Sequence, residues 1–419
     1  MYLQMLRIKI ESYRWEEEEL MNKKQELIDI CHEYCTGCGL CVAVNGTAFE
    51  RESKGFFYPR LQSTDTDLCR IVCPAAGNAA NHFQDGTTWG KMKSCCLAWS
   101  SDDTTRFQAS SGGVITSLCV YLLEKHMVDA IIQVKRNAKD QTKTITVVNT
   151  TKEAVLECCG SRYTSSTPLM NIKDLIETGK KYAFVGKPCD VSALRMLQVE
   201  KVAAWTEQIV YMFSFFCAGQ PSEHANKKLL HALQCDSVAD IEDLSYRGNG
   251  WPGFAAVRLK NGSKHQMEYE KSWMTILGRD VRKSCRFCAD GTGEQADISC
   301  GDAWYLTSEG KPDFTEAPGR NVVFARTQQG ETLLKAAILD GVVTTEPYDL
   351  EKGNLKKSQP YHYNRKASLR SLKVAMKLCG RNFPLYSSKI LKKFEMGYPL
   401  KNKVLRCIGT IKRVWSKSI

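Results

Sequence analysis

The chain has 419 residues, a formal net charge of +12, 43% hydrophobic residues and 19 cysteines. That length exceeds one ordinary domain, so two or three are expected, and no apolar run approaches the roughly 20 residues needed to span a bilayer. No signal-peptide pattern is seen and the cysteines fall in C-x2-C patterns, so reduced thiols and metal ligands in the cytoplasm are expected rather than a disulfide framework.

The charge is uneven. Residues 352–419 hold eighteen Lys or Arg against the single acid Glu395, so the first 351 residues sum to −5. A basic tail on a mildly acidic body points to an anionic surface or partner for the tail and argues against nucleic acid as a partner of the body.

In chain order, Glu16 to Glu19 stand directly before Leu20-Met21. A purine-rich ribosome-binding site read in frame would yield such a run, so translation is expected to begin at Met21, within a 1–30 extension; a short charged helix is the alternative. Cys35, Cys38 and Cys41 follow at the spacing that holds three irons of a 4Fe-4S cube, and Cys73-Pro74 is placed to close it. In two-cluster ferredoxins the last cysteine of each C-x2-C-x2-C-x3-C-P block ligates the other block's cluster. Here Asn45 stands where the first block's fourth cysteine would be, and the second block keeps only Cys69 and Cys73. One N-terminal cluster on Cys35, Cys38, Cys41 and Cys73 is expected, with Cys69 a spare thiol; the competing arrangement, a zinc knuckle, usually pairs its cysteines differently.

The fold class expected is α/β: a ferredoxin-like iron-sulfur insert over 31–90, a mixed-sheet α/β domain over 91–349 and a helical basic tail over 350–419. Ser110-Ser111-Gly112-Gly113 leads into an apolar helix, Val114 to Leu123, with a serine cap. Strands are expected at Ala130 to Val134 and Thr144 to Val148, and, as short apolar runs buried on both faces, at Tyr182 to Val185 and Ile209 to Phe216. Helices separate them around Leu169 to Thr178, Val191 to Gln198 and Glu223 to Leu233. Asn261-Gly262 marks a hairpin between Phe254 to Leu259 and His265 to Tyr269, and Val322 to Ala325 with Glu331 to Leu339 adds a strand and a helix.

Cys189 and Cys217 each follow a buried strand, so their thiols would emerge together at one sheet edge, where open α/β folds place their chemistry. Cys285 and Cys288, at C-x2-C spacing, can complete a four-cysteine cluster site; purely structural cysteines are the alternative.

Six ordered motifs carry a resemblance: Cys35-Thr36-Gly37-Cys38-Gly39-x-Cys41, Gly160-Ser161-Arg162-Tyr163, Gly186-x-Pro188-Cys189, Cys217-x-Gly219-x-Pro221-Ser222, Cys285-x2-Cys288 and Ala296-Asp297-Ile298-Ser299-x-Gly301-Asp302-x-Trp304. Together they resemble the beta-subunit family of coenzyme F-420 hydrogenases and dehydrogenases, in its bacterial branch linked to cell-envelope polysaccharide gene clusters, over residues 31 to 345. The resemblance implies an iron-sulfur flavoprotein with a flavin-binding α/β domain that holds FAD and passes electrons to a deazaflavin or another organic acceptor. Lys187 and Asp190 depart from the small residue and glutamine usual around the Pro-Cys element, and the second ferredoxin cluster is lost.

Within that resemblance, Ser111, Gly112 and Gly113 offer backbone N–H groups and a helix N-terminus to the FAD pyrophosphate, and Ser161, Arg162 and Tyr163 could add phosphate or ribose contacts. The alternatives are an ordinary helix cap and a polar loop. Asp302 could orient a flavin edge or simply form a turn, and Arg247 to Trp251 suits a substrate lid or a hairpin connection. No catalytic residue is assigned.

No G-x-S-x-G or H-E-x-x-H pattern is present, so nothing suggests a hydrolase. The resemblance implies an FAD and iron-sulfur oxidoreductase taking electrons from a ferredoxin-like donor to a small organic or glycan-related acceptor; the alternative is an electron-transfer or docking subunit with no substrate of its own. In the tail, Val404, Ile408, Ile411 and Trp415 share one helical face, with Lys403, Arg406, Lys412, Arg413 and Lys417 around the rest. Such a basic amphipathic helix can lie peripherally on an anionic membrane or pack on the body.

Overall fold

The computed structural model describes residues 21–52, 54–83, 87–352 and 354–416. The Glu16 to Glu19 run on which a start at Met21 rests lies outside them, as does Lys417.

The short apolar runs become the centre of an eight-stranded mixed sheet. Its strands are β1 (Ser94–Ser100), β2 (Ala130–Arg136), β3 (Thr144–Asn149), β4 (Tyr182–Gly186), β5 (Ile209–Phe215), β6 (Ile298–Asp302), β7 (Asn321–Ala325) and β8 (Val343–Pro347), in the order β8-β1-β7-β6-β5-β4-β2-β3. The four central strands β6, β5, β4 and β2 are parallel, and the others are antiparallel to their neighbours. Consecutive residues on β2, β4 and β5 (Ile131-Ile132, Ala183-Phe184, Met212-Phe213) are all 0% exposed, so both faces of the sheet are covered. One face packs on α1 (Val114–Glu124) and α4 (Gln328–Leu339) through Leu118, Leu122, Leu333 and Ala337. The other packs on α2 (Pro188–Val199) through Val191, Leu194 and Leu197, joined by Leu40, Leu68 and Val72 of the cysteine-rich segment.

The expected hairpin is present. Phe254–Leu259 pairs with Lys264–Glu268 around Gly262, whose φ of 86° needs glycine, Ile241–Ser245 adds a third strand, and α3 (Glu223–Ala232) packs on this small sheet through Ala225, Leu229 and Leu230. Other elements differ from expectation. The helix expected over Leu169 to Thr178 shrinks to Ile172–Leu175 because the Leu169 N–H donates to the Cys38 carbonyl at 2.9 Å, so this stretch serves the cysteine loop. Strands β1 and β8 carry no sequence signal of their own. β8 is a polar edge strand ending at Pro347, a position that proline tolerates.

The tail is helical: α5 (Pro360–Ala367), α6 (Leu369–Leu378), α7 (Ser388–Phe394) and α8 (Leu400–Trp415) follow a short Leu355–Ser358 turn. Leu369, Leu372, Met376, Phe383, Ile390, Phe394 and Val414 share one apolar cluster with Ile30, Tyr34, Cys69 and Phe287. α8 docks through Thr410 and Val414, whereas Val404, Ile408 and Trp415 stay exposed. No described helix is long and apolar enough to cross a membrane.

Candidate redox site

Because β1 runs parallel to β6, strands β1, β2, β4, β5 and β6 all end at one edge of the sheet, and the chemistry collects there. β4 runs into Lys187, and Pro188 opens α2 with Cys189 in its first turn. β5 leads through Phe216 to Cys217, and a short helix Lys283–Arg286 brings Cys285 ahead of Cys288. Cys189, Cys217, Cys285 and Cys288 line one cavity, with Thr36, Lys187, Gln220 and Arg365 among its other walls. The Gln220 N–H donates to Cys285 Sγ at 3.3 Å. Burial pushes Cys217 up to about 12 and Cys288 up to about 11, and raises Cys189 well above its ordinary value.

Lys187 and Asp190 form a buried ion pair beside this cavity, Nζ to Oδ2 at 2.8 Å, and Lys187 also donates to Ser166 Oγ at 2.9 Å. Burial raises Asp190 against the pull of Lys187, and its Oδ1 has no hydrogen-bond partner among the described residues.

A second cavity is lined by Cys35, Cys38, Cys41 and Cys73, and also by Cys31, Cys69 and Thr36. Gly39, at φ 85°, closes the cysteine loop against Met170; a Cβ there would meet the Met170 Cα at 2.9 Å. The Gly37 N–H donates to Cys35 Sγ at 3.3 Å. Burial lifts Cys35 to about 11 and Cys38 to about 12. Cys31, which sequence reasoning passed over because it sits outside the C-x2-C pattern, hydrogen-bonds to Cys69 and Cys73. Its own pKa is raised by those bonds and by burial, and the Cys73 thiolate is stabilised by it and by the Ala75 and Ala76 amides.

These donor sets fit cubane clusters. Each cavity gathers four of the expected cysteines, the donor type and number that a four-iron cube takes. Thr36 lines both cavities.

Arg282, 0% exposed, ties the two together. Its guanidinium donates to the carbonyls of Cys35 (3.3 Å) and Phe57 (3.0 Å) and to Gln220 Oε1 (2.9 Å), between the rings of Phe56 and Tyr58. Its partners are mostly backbone oxygens, which leave no mark in the sequence.

The Ser111-Gly112-Gly113 turn lies at the same edge, where it leads into α1. Gly112 is packed on the sheet: a Cβ would meet Asn321 Oδ1 at 2.7 Å and the Ala98 carbonyl at 2.8 Å. Ser111 Oγ donates to the Arg320 carbonyl at 3.0 Å, so its side chain is already used. The Gly160 loop reaches this turn, with the Ser161 N–H donating to Ser110 Oγ at 2.7 Å. Among the described residues Arg162 bonds two backbone carbonyls, Ser161 at 3.0 Å and Cys159 at 3.3 Å, and its buried Nε has no partner. Burial and nearby Arg136 lower its pKa. A cation so held beside a helix start suits an anion. Tyr163 turns elsewhere, packing on Trp273 (4.9 Å) and Tyr246 (6.0 Å).

Asp302 closes the edge. It takes a two-pronged pair from buried Arg247 at 2.8 and 2.7 Å and a bond from Trp251 Nε1 at 2.8 Å, while the Trp251 indole stacks on Trp304 at 4.5 Å. The Arg247 to Trp251 loop is pinned to β6 instead of standing free as a lid.

Two family models match: residues 95–173 fit "Coenzyme F420 hydrogenase/dehydrogenase, beta subunit N-term" and residues 179–351 fit its C terminus, together more than half of the chain. The chain is 27% identical to a coenzyme F420 hydrogenase subunit beta of Methanococcus voltae, over 66% of this chain and 92% of that one. It is also 27% identical to an F(420)H(2) dehydrogenase subunit of Methanosarcina mazei, over 72% and 82%. A chain of the F420-reducing [NiFe] hydrogenase complex from Methanosarcina barkeri shares the fold, with TM-score 0.55, 22% identity, and coverage of 72% of this chain and 98% of that one. The chain belongs to the coenzyme F420 hydrogenase/dehydrogenase beta-subunit family.

Proposed function

We propose that this redox-family chain is an iron-sulfur flavoprotein oxidoreductase. A ferredoxin-like donor delivers electrons to a 4Fe-4S cluster on Cys35, Cys38, Cys41 and Cys73, then to a second on Cys189, Cys217, Cys285 and Cys288, and so to FAD. The observation that carries this reading is Thr36, a wall of both cysteine cavities, which would leave two clusters one residue apart. The flavin, when bound, gathers single electrons into pairs for an organic acceptor; the protein's part is to hold and orient it. Support for FAD comes from the α1 start with Arg162 beside it.

The acceptor we favour is a glycan-related compound of cell-envelope polysaccharide biosynthesis. Peripheral membrane contact through α8 would bring the protein to it, and the exposed Val404, Ile408 and Trp415 favour that contact. A second reading, an electron-transfer subunit without a substrate of its own, is favoured by the relatives, whose names denote subunits.

Anaerobic purification with iron, sulfide and flavin analysis tests the proposal. About eight irons and one FAD per chain are expected from two four-iron clusters. Two clusters without flavin would support the subunit reading, and no iron above background would overturn both.

A further inference from the structure

The matched family segments end at residue 351, yet the chain beyond them supplies a wall of the second cysteine cavity. Arg365, on α5, is 7% exposed and lines that cavity with Cys189, Cys217, Cys285 and Cys288. Its guanidinium donates to the carbonyls of Cys217 (2.9 Å), Ala218 (3.1 Å) and Cys285 (3.4 Å) and lies 3.3 Å from His362 Nδ1. Burial and Arg365 keep that histidine neutral, holding its pKa well below the ordinary value. All these partners are uncharged, so the cation stands in the cavity wall without an ion pair among the described residues. Its neighbour Lys366 is instead paired with Glu294.

We propose that Arg365 is a positioning residue that raises the reduction potential of a four-iron cluster held by Cys189, Cys217, Cys285 and Cys288. The role is supplied by a segment outside the family match, and it rests on the second-cluster reading given above. Reduction adds one electron, and so one negative charge, to such a cluster. A fixed buried cation beside the thiolates stabilises that added charge, because little solvent screens it; net charge and hydrogen bonding are the protein's main means of setting cluster potentials. The three carbonyl bonds fix where the charge stands.

The test is a dithionite titration of the full chain with mediators, followed by electron paramagnetic resonance. Dithionite supplies the electron, the N-terminal cluster serves as internal reference, and Cys189→Ser identifies the second signal by removing it. Arg365→Gln should keep its iron and lower the reduced-to-oxidised ratio of the second cluster at least tenfold at fixed potential, a fall of about 59 mV for one electron. Arg365→Lys should retain the wild-type value.

An Arg365→Gln protein with full iron and an unshifted second potential would overturn the proposal. If Arg365→Gln sheds the second cluster, Arg365→Lys decides. Retained iron with the wild-type potential supports the charge role, whereas a shifted potential or lost iron assigns Arg365 to carbonyl bracing alone. Failure of the underlying reading looks different: wild type would itself carry about four irons, unchanged in Cys189→Ser.

Discussion

Arg282 reaches 247 positions along the chain to the Cys35 carbonyl, at 3.3 Å, while its own N–H donates to Gln220 at 2.9 Å. One buried side chain thereby holds the N-terminal cysteine loop against the Cys285 segment. Replacing it by Met leaves the carbonyls of Cys35 and Phe57 without this donor. Arg282→Met should cost about 3 kcal/mol of stability and lower N-terminal iron, as read by denaturant unfolding and iron analysis.

The proposed ligands of the first cluster are separable by iron content. Cys73→Ser should remove about four irons, while Cys69→Ser should leave the content unchanged, by the ligand logic of such cubes. Cys31→Ser should also retain iron, since that side chain serves Cys73 as a hydrogen-bond donor. Equal losses from Cys69→Ser and Cys73→Ser would sink the assignment.

For the flavin, an acidic change at Gly113 would be ambiguous. This residue sits at φ 78°, and a Cβ would press on the Thr105 carbonyl at 3.2 Å. Arg162→Gln is cleaner. Loss of one charged contact to phosphate should weaken FAD binding about tenfold, at roughly 1.4 kcal/mol, with iron unchanged. Unaltered flavin affinity in a fluorescence titration would remove Arg162 from the site.

Glu294 gives a pH dependence. Burial raises its carboxyl to about 7, against the pull of Lys366. The unfolded carboxyl loses its proton nearer 4.5, so the favourable contribution of the protonated native form is complete below that pH and is lost as pH rises toward 7. The loss is of order 3 kcal/mol. Melting of wild type and Glu294→Gln from pH 4.5 to 8 should therefore show a downward slope that the variant lacks. Parallel curves would contradict it.

The exposed stripe of α8 can be tested without disturbing its docked face. Val404 and Ile408 are 48% and 47% exposed, so Val404→Glu with Ile408→Glu should leave the fold intact. Wild type should co-sediment with vesicles containing anionic lipid, less so at high salt, since nearby basic residues contribute about 1 kcal/mol each. The double variant should lose most of that binding. Equal partitioning of the two proteins would show that α8 does not dock on lipid.

By itself the sequence determined the pieces governed by local rules. The C-x2-C spacings, the buried apolar runs of β4 and β5 and the Asn261-Gly262 turn are legible because ligand reach, strand burial and turn dihedrals depend on near neighbours. Tertiary structure decided what those pieces face. Periodicity marks Val404, Ile408, Ile411 and Trp415 as one stripe, but the adjoining face with Thr410 and Val414 is the one that docks, because α6 lies on that side. Cys31 joins the first cavity, and Arg365, 148 positions from Cys217, joins the second. Buried cations such as Arg282 and Arg365 find distant backbone carbonyls as partners, and a carbonyl is the same at every position of a chain, so no residue pattern announces the pairing.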